Sequence, residues 1–112
     1  MKLNITKQND ITIININAER ATGDNAPALS EVLFNQIEEG NARKIIVDLK
    51  GVEFVDSTFL GALVKALKKI TEKMGDIKVT NLEKPVRVMF ELTRLYRVFE
   101  VFDNTNEAVA SF

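Results

Sequence analysis

The chain has 112 residues, of which 46% are hydrophobic and 28% are charged, and its formal net charge is −1 at pH 7. A chain of this length buries one hydrophobic core, so we expect residues 1–112 to form a single domain. The near-neutral charge gives no electrostatic footprint for nucleic acid or for an anionic membrane surface. Cysteine and histidine are absent, which excludes disulfides, a Ser-His-Asp triad and the usual zinc sites.

Motifs for targeting and for cofactors are also missing. No apolar run approaches the roughly 20 residues of a membrane span, and Met1–Thr6 lacks the apolar core of a signal peptide. Neither a P-loop nor a G-x-G-x-x-G motif occurs among the five glycines. We therefore expect a cytoplasmic protein without a cofactor, and we expect no enzymatic activity.

The first part of the chain predicts an antiparallel pair of strands. Apolar and polar residues alternate over residues 2–6, as in a strand with one buried face. Asn9-Asp10 is a turn signal, and a second strand follows from Ile11 to Ile16. The Ile13-Ile14 pair breaks the alternation, which predicts either burial on both faces or a bulge.

A loop, a helix and a central strand come next. Thr22–Asn25 is rich in turn residues, and Pro27 suits the first turn of a helix that ends near Gly40. The continuous apolar run from Lys44 to Leu49 is typical of a strand buried on both faces.

The second helix is predicted over Ser57–Met74, with Asp56 or Ser57 as its N-cap and Gly75 in a left-handed conformation after its end. Its apolar stripe recurs every three to four residues and is expected to be core. The stripe consists of Leu60, Leu63, Val64, Leu67, Ile70 and Met74. A second strip of Phe59, Ala62 and Ala66 borders it, and this strip either packs under a neighbouring helix or receives another protein.

The last third predicts a strand over Asp76–Thr80, a helix that begins at Pro85, a strand among residues 95–102 and a short helix over Asn106–Phe112. Alternating strands and helices favour an α/β fold. We expect a mixed sheet of four to five strands with helices packed mainly on one face. The polar residues of the second helix leave no large apolar patch, which predicts a monomer.

The segment from Ile45 to Val64 resembles the STAS domain of bacterial anti-sigma factor antagonists, in which an apolar strand is followed by Asp-Ser-Ser/Thr and a helix. Further similarity lies in Ala26–Leu29, in Asn81-Leu82 and in Met89–Thr93. The resemblance covers nearly the whole chain and implies a single STAS-like domain.

The resemblance also implies a function. In that family a cognate anti-sigma factor, which is also a serine kinase, phosphorylates the serine that corresponds to Ser57. The unmodified antagonist sequesters the kinase, and a PP2C-type phosphatase resets the switch. Ser57 is therefore the predicted phosphorylation site, with its hydroxyl at the surface. The predicted partner-binding residues are Asp24, Asp56, Ser57, Thr58, Phe59 and Ala62.

Three positions depart from the family pattern. Phe59 stands where the family usually has glycine, which predicts either a clash with the docked kinase or a different anchor. The usual loop aspartate falls on Ala21 or Thr22, so Asp24 is expected to replace it. Arg94 replaces a glycine after the third helix, which predicts a different C-cap.

Other functions are compatible with parts of the sequence. A STAS scaffold, or an accessory subunit of a stress-signalling complex or a lipid-type ABC transporter, would need Ser57 only as a helix cap. Asp56-Ser57 also resembles the attachment motif of acyl carrier proteins, but those carriers are acidic and all-helical. An enzyme with Ser57 as its nucleophile would lack the histidine base.

Overall fold

A computed structural model describes residues 2–112 of the chain. Within that range the strands are β1 (Lys2–Gln8), β2 (Ile11–Asn17), β3 (Arg20–Ala21), β4 (Lys44–Asp48), β5 (Phe54–Val55), β6 (Asp76–Thr80) and β7 (Val101–Phe102). The helices are α1 (Ala26–Glu38), α2 (Ser57–Glu72), α3 (Lys84–Leu92) and α4 (Thr105–Ser111), and a 3₁₀ turn at Leu95–Arg97 connects α3 to β7.

Five of the strands form one mixed sheet in the order β1-β2-β4-β6-β7. The β1–β2 pair is antiparallel, and every other neighbouring pair in this sheet is parallel. Each parallel connection passes through a helix, as parallel strands require. The predicted α/β class and the mixed sheet of four to five strands are therefore confirmed.

The two faces of the sheet are covered unequally. The main core lies between the sheet and α1, α2 and α3. A smaller cluster on the opposite face packs Ile11, Ile13 and Ile46 against Ala108 of α4. Ile14 belongs to the main core, so the Ile13-Ile14 pair is buried on both faces, and both residues keep regular pairing with β1 and β4. Burial, not a bulge, explains the broken alternation.

A two-stranded parallel element, not predicted from the sequence, lies beside the main sheet. In it Arg20 pairs with Phe54, and Ala21 pairs with Val55. The Glu53 N–H also donates to the Glu19 carbonyl at 2.8 Å. This short pairing fixes the segment that precedes α1 next to the segment that precedes α2, and it thereby positions the candidate site.

Two chain reversals differ from the prediction. The left-handed residue after α2 is Met74, with a φ of 65°, and not Gly75. Arg94 also adopts a left-handed conformation, with a φ of 60°. Arg94 thus keeps the backbone geometry that favours glycine, and the expected change of C-cap does not occur.

The predicted last strand is mostly wrong. Within residues 95–102 only Val101 and Phe102 form a strand, and residues 95–97 form the 3₁₀ turn. The apolar residues of this stretch are distributed between core and surface, since Phe99 is buried and Val98 is exposed. The predicted C-terminal helix is confirmed as α4.

Candidate functional site

Asp56 is the N-cap of α2. Its backbone is extended, with φ −118° and ψ 174°, and its Oδ1 accepts a hydrogen bond from the Phe59 N–H at 2.9 Å. Its Oδ2 accepts a hydrogen bond from the Gly23 N–H, also at 2.9 Å. The sequence left the cap open between Asp56 and Ser57, and the structure shows that Asp56 makes the capping bond.

The two bonds favour the ionised carboxylate. They lower the pKa of Asp56 from its ordinary value of 3.8, with the larger effect from the Phe59 N–H and the smaller from the Gly23 N–H. Asp56 is therefore a carboxylate at neutral pH. The Gly23 bond spans 33 positions of the chain and holds the loop before α1 against the start of α2.

We expect Asp56→Ala to lower the Tm by several degrees at neutral pH, because it removes both bonds. The folded-state pKa of Asp56 lies below its unfolded value, so the stabilisation is fully present above about pH 4 and is lost as the pH falls through the folded-state pKa. Thermal melts of wild type and variant should therefore differ by a constant amount between about pH 7 and 5, and converge at lower pH. A difference that does not begin to shrink as the pH falls below the ordinary pKa of 3.8 would contradict the role of the charge.

Ser57 and Thr58 begin α2, and both side chains are exposed. The Ser57 hydroxyl therefore lies at the surface, as a phosphoacceptor requires. Leu60 and Leu63, which follow on the core side of the helix, are buried. Because Asp56 makes the capping bond, the helix does not need Ser57 as its cap.

The loop before α1 lies beside Asp56 and Thr58. The Thr22 N–H donates to Asn25 Oδ1 at 3.0 Å, and the Asn25 N–H donates to the Thr22 carbonyl at 2.9 Å, which closes a turn. A β-carbon added at Gly23 would lie 3.4 Å from Thr58 Cβ, so the loop backbone packs closely on that side chain. Asp24 is exposed in this turn.

Four of the predicted residues thus share one surface, which we call the Ser57 surface: Asp24, Asp56, Ser57 and Thr58. Sequence reasoning missed Gly23, whose amide ties the loop to Asp56. The loop itself was recognisable from Thr22–Asn25. Its contact with the start of α2 was not, because no local pattern encodes a bond between residues so far apart.

The predicted apolar strip of Phe59, Ala62 and Ala66 does not form a surface. Phe59 is 0% exposed, and all three side chains belong to the main core. The reason is that α1 packs along α2, so α2 is covered on its flank as well as on its sheet side. The strip thus packs under a neighbouring helix, which is the first of the two alternatives left open by the sequence. The Phe59 ring is unavailable to a partner in this fold, and the prediction that Phe59 binds one is wrong.

Ala62 has a different position from Phe59. Although only 5% exposed, it borders an open groove of about 370 Å³ between the N-terminal parts of α1 and α2. The groove is lined by Gly23, Ala26, Pro27, Ser30, Thr58, Gly61, Ala62 and Lys65. Because Gly23 and Thr58 line it, the groove is continuous with the Ser57 surface.

Across residues 2–112, no three His, Cys, Asp or Glu side chains are grouped so that they could bind a metal ion. No helix in this range is long and apolar enough to cross a bilayer.

The fold combines a mixed sheet, three helices on one face and an exposed serine directly after the aspartate that caps α2. This combination is that of an α/β domain of the STAS type. The family model described as the STAS domain matches residues 2–108. The chain belongs to the STAS domain family, which confirms the resemblance seen in the sequence.

Individual relatives agree with this assignment. The anti-sigma-B factor antagonist of Bacillus subtilis is 33% identical over 103 residues, which cover 90% of this chain and 92% of that protein. A STAS domain protein from Planctomyces limnophilus superposes with a TM-score of 0.88 at 21% identity, covering 97% and 96% of the two chains. Bacillus SpoIIAA in its phosphorylated form gives a TM-score of 0.76 at 14% identity over 98% of each chain. At these identities the two solved structures show the shared fold.

Proposed function

We propose that the protein is an anti-sigma factor antagonist, a binding module and not an enzyme, whose Ser57 surface sequesters an anti-sigma factor kinase in the cytoplasm. The observation that carries the proposal is the exposed Ser57 hydroxyl beside an Asp56 that already caps α2. A serine that the helix does not need structurally is free to be modified. The name of the Bacillus subtilis relative supports the same class of partner.

In the proposed cycle the kinase transfers the γ-phosphoryl group of ATP to Ser57 Oγ, and ADP leaves. A PP2C-type phosphatase then hydrolyses the phosphate ester and restores the serine. The single domain acts as a monomer throughout. This function does not depend on the Phe59 ring, because that ring lies in the core.

The consequence of phosphorylation follows from local electrostatics. A phosphate adds a charge of roughly −1.5 to −2 beside the Asp56 carboxylate. The amides and dipole at the start of α2 favour the anion, so the domain stays folded. A partner that covers Ser57 would have to desolvate that charge, which is costly without a counter-charge. Phosphorylation therefore blocks the interface without unfolding the domain.

We expect Ser57→Asp to weaken binding of the cognate anti-sigma factor by about a hundredfold or more, because an unpaired carboxylate would be buried in the interface. Its free energy of unfolding should change by less than about 1 kcal/mol, since an anion is tolerated in the first turn of a helix. Ser57→Ala should bind like wild type and should accept no phosphate. Calorimetric titration, thermal melts and phosphosite mapping by mass spectrometry measure these three properties.

A matched control is Asn106→Asp, which adds one carboxylate to the first turn of α4 on the opposite face of the sheet. It should leave the affinity unchanged. If Ser57→Asp binds as tightly as this control, Ser57 does not lie in the interface and the proposed switch is wrong.

A further inference from the structure

A second groove lies between β5 and α3, with a volume of about 450 Å³. Its lining is mostly apolar and consists of Phe54, Val55, Pro85, Val88 and Met89, together with Glu53 and Lys84. Phe54 is 43% exposed and Val88 is 42% exposed. Exposed apolar side chains grouped around a concave site are typical of interaction surfaces.

The Phe54 wall of this groove is held in place. The Arg20 guanidinium lies over the Phe54 ring, 4.2 Å from its centroid, and the backbones of the two residues pair in the β3–β5 element. A cation over an aromatic face is attractive, so the ring is ordered before any partner arrives. A preorganised apolar wall loses less conformational entropy on binding than a mobile one.

The groove adjoins the Ser57 surface. Phe54 and Ser57 are three residues apart, so their Cα atoms are separated by at most about 11 Å. A standard interface covers about 800 Å² of each partner, which is a disc of about 16 Å radius. A partner centred on Ser57 would therefore be large enough to reach Phe54 and the groove that Phe54 lines.

We propose that this groove receives an apolar side chain of the anti-sigma factor that covers Ser57, so that the groove anchors the complex while Ser57 controls it. The inference rests on the proposed function. Leucine, isoleucine, methionine or phenylalanine would suit the apolar walls and the volume. The groove supplies binding energy that does not depend on phosphorylation, and it explains how the complex is anchored although the Phe59 ring is buried.

The test uses Phe54→Ser and Val88→Asp, which make the two sides of the groove polar. Each should weaken binding about tenfold or more, because a few buried apolar contacts dominate most interfaces. Phe34→Ser is the matched control, since Phe34 is 36% exposed on α1 and lines neither groove. It should change the affinity by less than about twofold. The probes are the anti-sigma factor kinases encoded by the source organism, each purified and titrated, with thermal melts to verify folding.

The outcomes separate the two proposals. If Ser57→Asp abolishes binding while both groove variants bind like wild type, the groove inference is overturned and the proposed function stands. If no anti-sigma factor kinase binds the wild-type chain, both fail. If the groove variants change only self-association, measured by sedimentation, the occupant is a second copy of this chain and the inference is wrong.

Discussion

Replacing Phe59 by alanine is expected to lower the free energy of unfolding by about 3–5 kcal/mol, the usual cost of removing a fully buried aromatic ring. Phe59 is one of the largest fully buried side chains and belongs to the main core. Closing a cavity of that size would require α2 to move, and α2 is held by Asp56 at its start and by α1 along its side. Denaturant unfolding of wild type and variant measures the difference.

Phe34→Ala is the control for this loss, because it removes the same ring from a half-exposed position. We expect it to cost about 1 kcal/mol. Equal losses in the two variants would contradict the core position of Phe59. Phe59→Gly, which restores the usual family residue, should cost about 1 kcal/mol more than Phe59→Ala because glycine also disfavours the helix.

This stability loss changes how binding data on Phe59 must be interpreted. Single domains are stable by only about 5–15 kcal/mol in total. A Phe59→Gly variant that fails to bind a partner would therefore report a weakened fold and not a lost contact. The Ser57, Phe54 and Val88 variants avoid this ambiguity because their side chains are exposed.

The sequence predicts the fold well where the hydrophobic pattern of a segment depends only on how deeply that segment is buried. The apolar run over residues 44–49 and the helix periodicity after Ser57 reflect how deeply β4 and α2 are buried, and both elements were located correctly except at the end of α2. The helix ends at Glu72, so Met74, which was predicted to be core, lies beyond it and is 95% exposed. The Ile13-Ile14 pair likewise reflects a sheet covered on both faces. In each instance the signal is local and does not depend on which element packs alongside.

The sequence predictions are wrong where the packing of a neighbouring element determines the local structure. A helical wheel places Phe59 beside the core stripe of α2, but it does not show that α1 packs against that side of the helix. Between α3 and β7 the apolar residues were assigned to a strand, although the left-handed Arg94 turns the chain there and the 3₁₀ turn follows. The hydrogen bond between Gly23 and Asp56 joins two segments that are distant in the sequence, and neither segment contains a local pattern that predicts it. Sequence reasoning thus predicted the exposure of Ser57 but not the contacts that order its surroundings.

Replacing Gly75 by alanine is the second substitution expected to have a large effect. A β-carbon at this position would lie 2.5 Å from the Arg43 carbonyl oxygen and 2.6 Å from Ile70 Cγ1. The Arg43 oxygen cannot retreat without a loss, because it accepts a hydrogen bond from the Asp76 N–H at 2.9 Å where β4 and β6 begin to pair. We expect Gly75→Ala to cost about 1–3 kcal/mol, as for other overpacked sites.

Gly61 is the matched control, since it lies inside α2 and a β-carbon added there would meet no atom within 4 Å. Gly61→Ala should stabilise the domain by about 0.5–1 kcal/mol through helix propensity.

Met74→Gly tests the turn after α2 at its other residue. Met74 is left-handed and 95% exposed, so glycine there should relieve backbone strain without loss of packing. Thermal melts of the three variants should therefore place Gly75→Ala below wild type and Gly61→Ala above it, with Met74→Gly no lower than wild type. A destabilised Met74→Gly together with a neutral Gly75→Ala would contradict this geometry, because the first result argues against a left-handed Met74 and the second against crowding at Gly75.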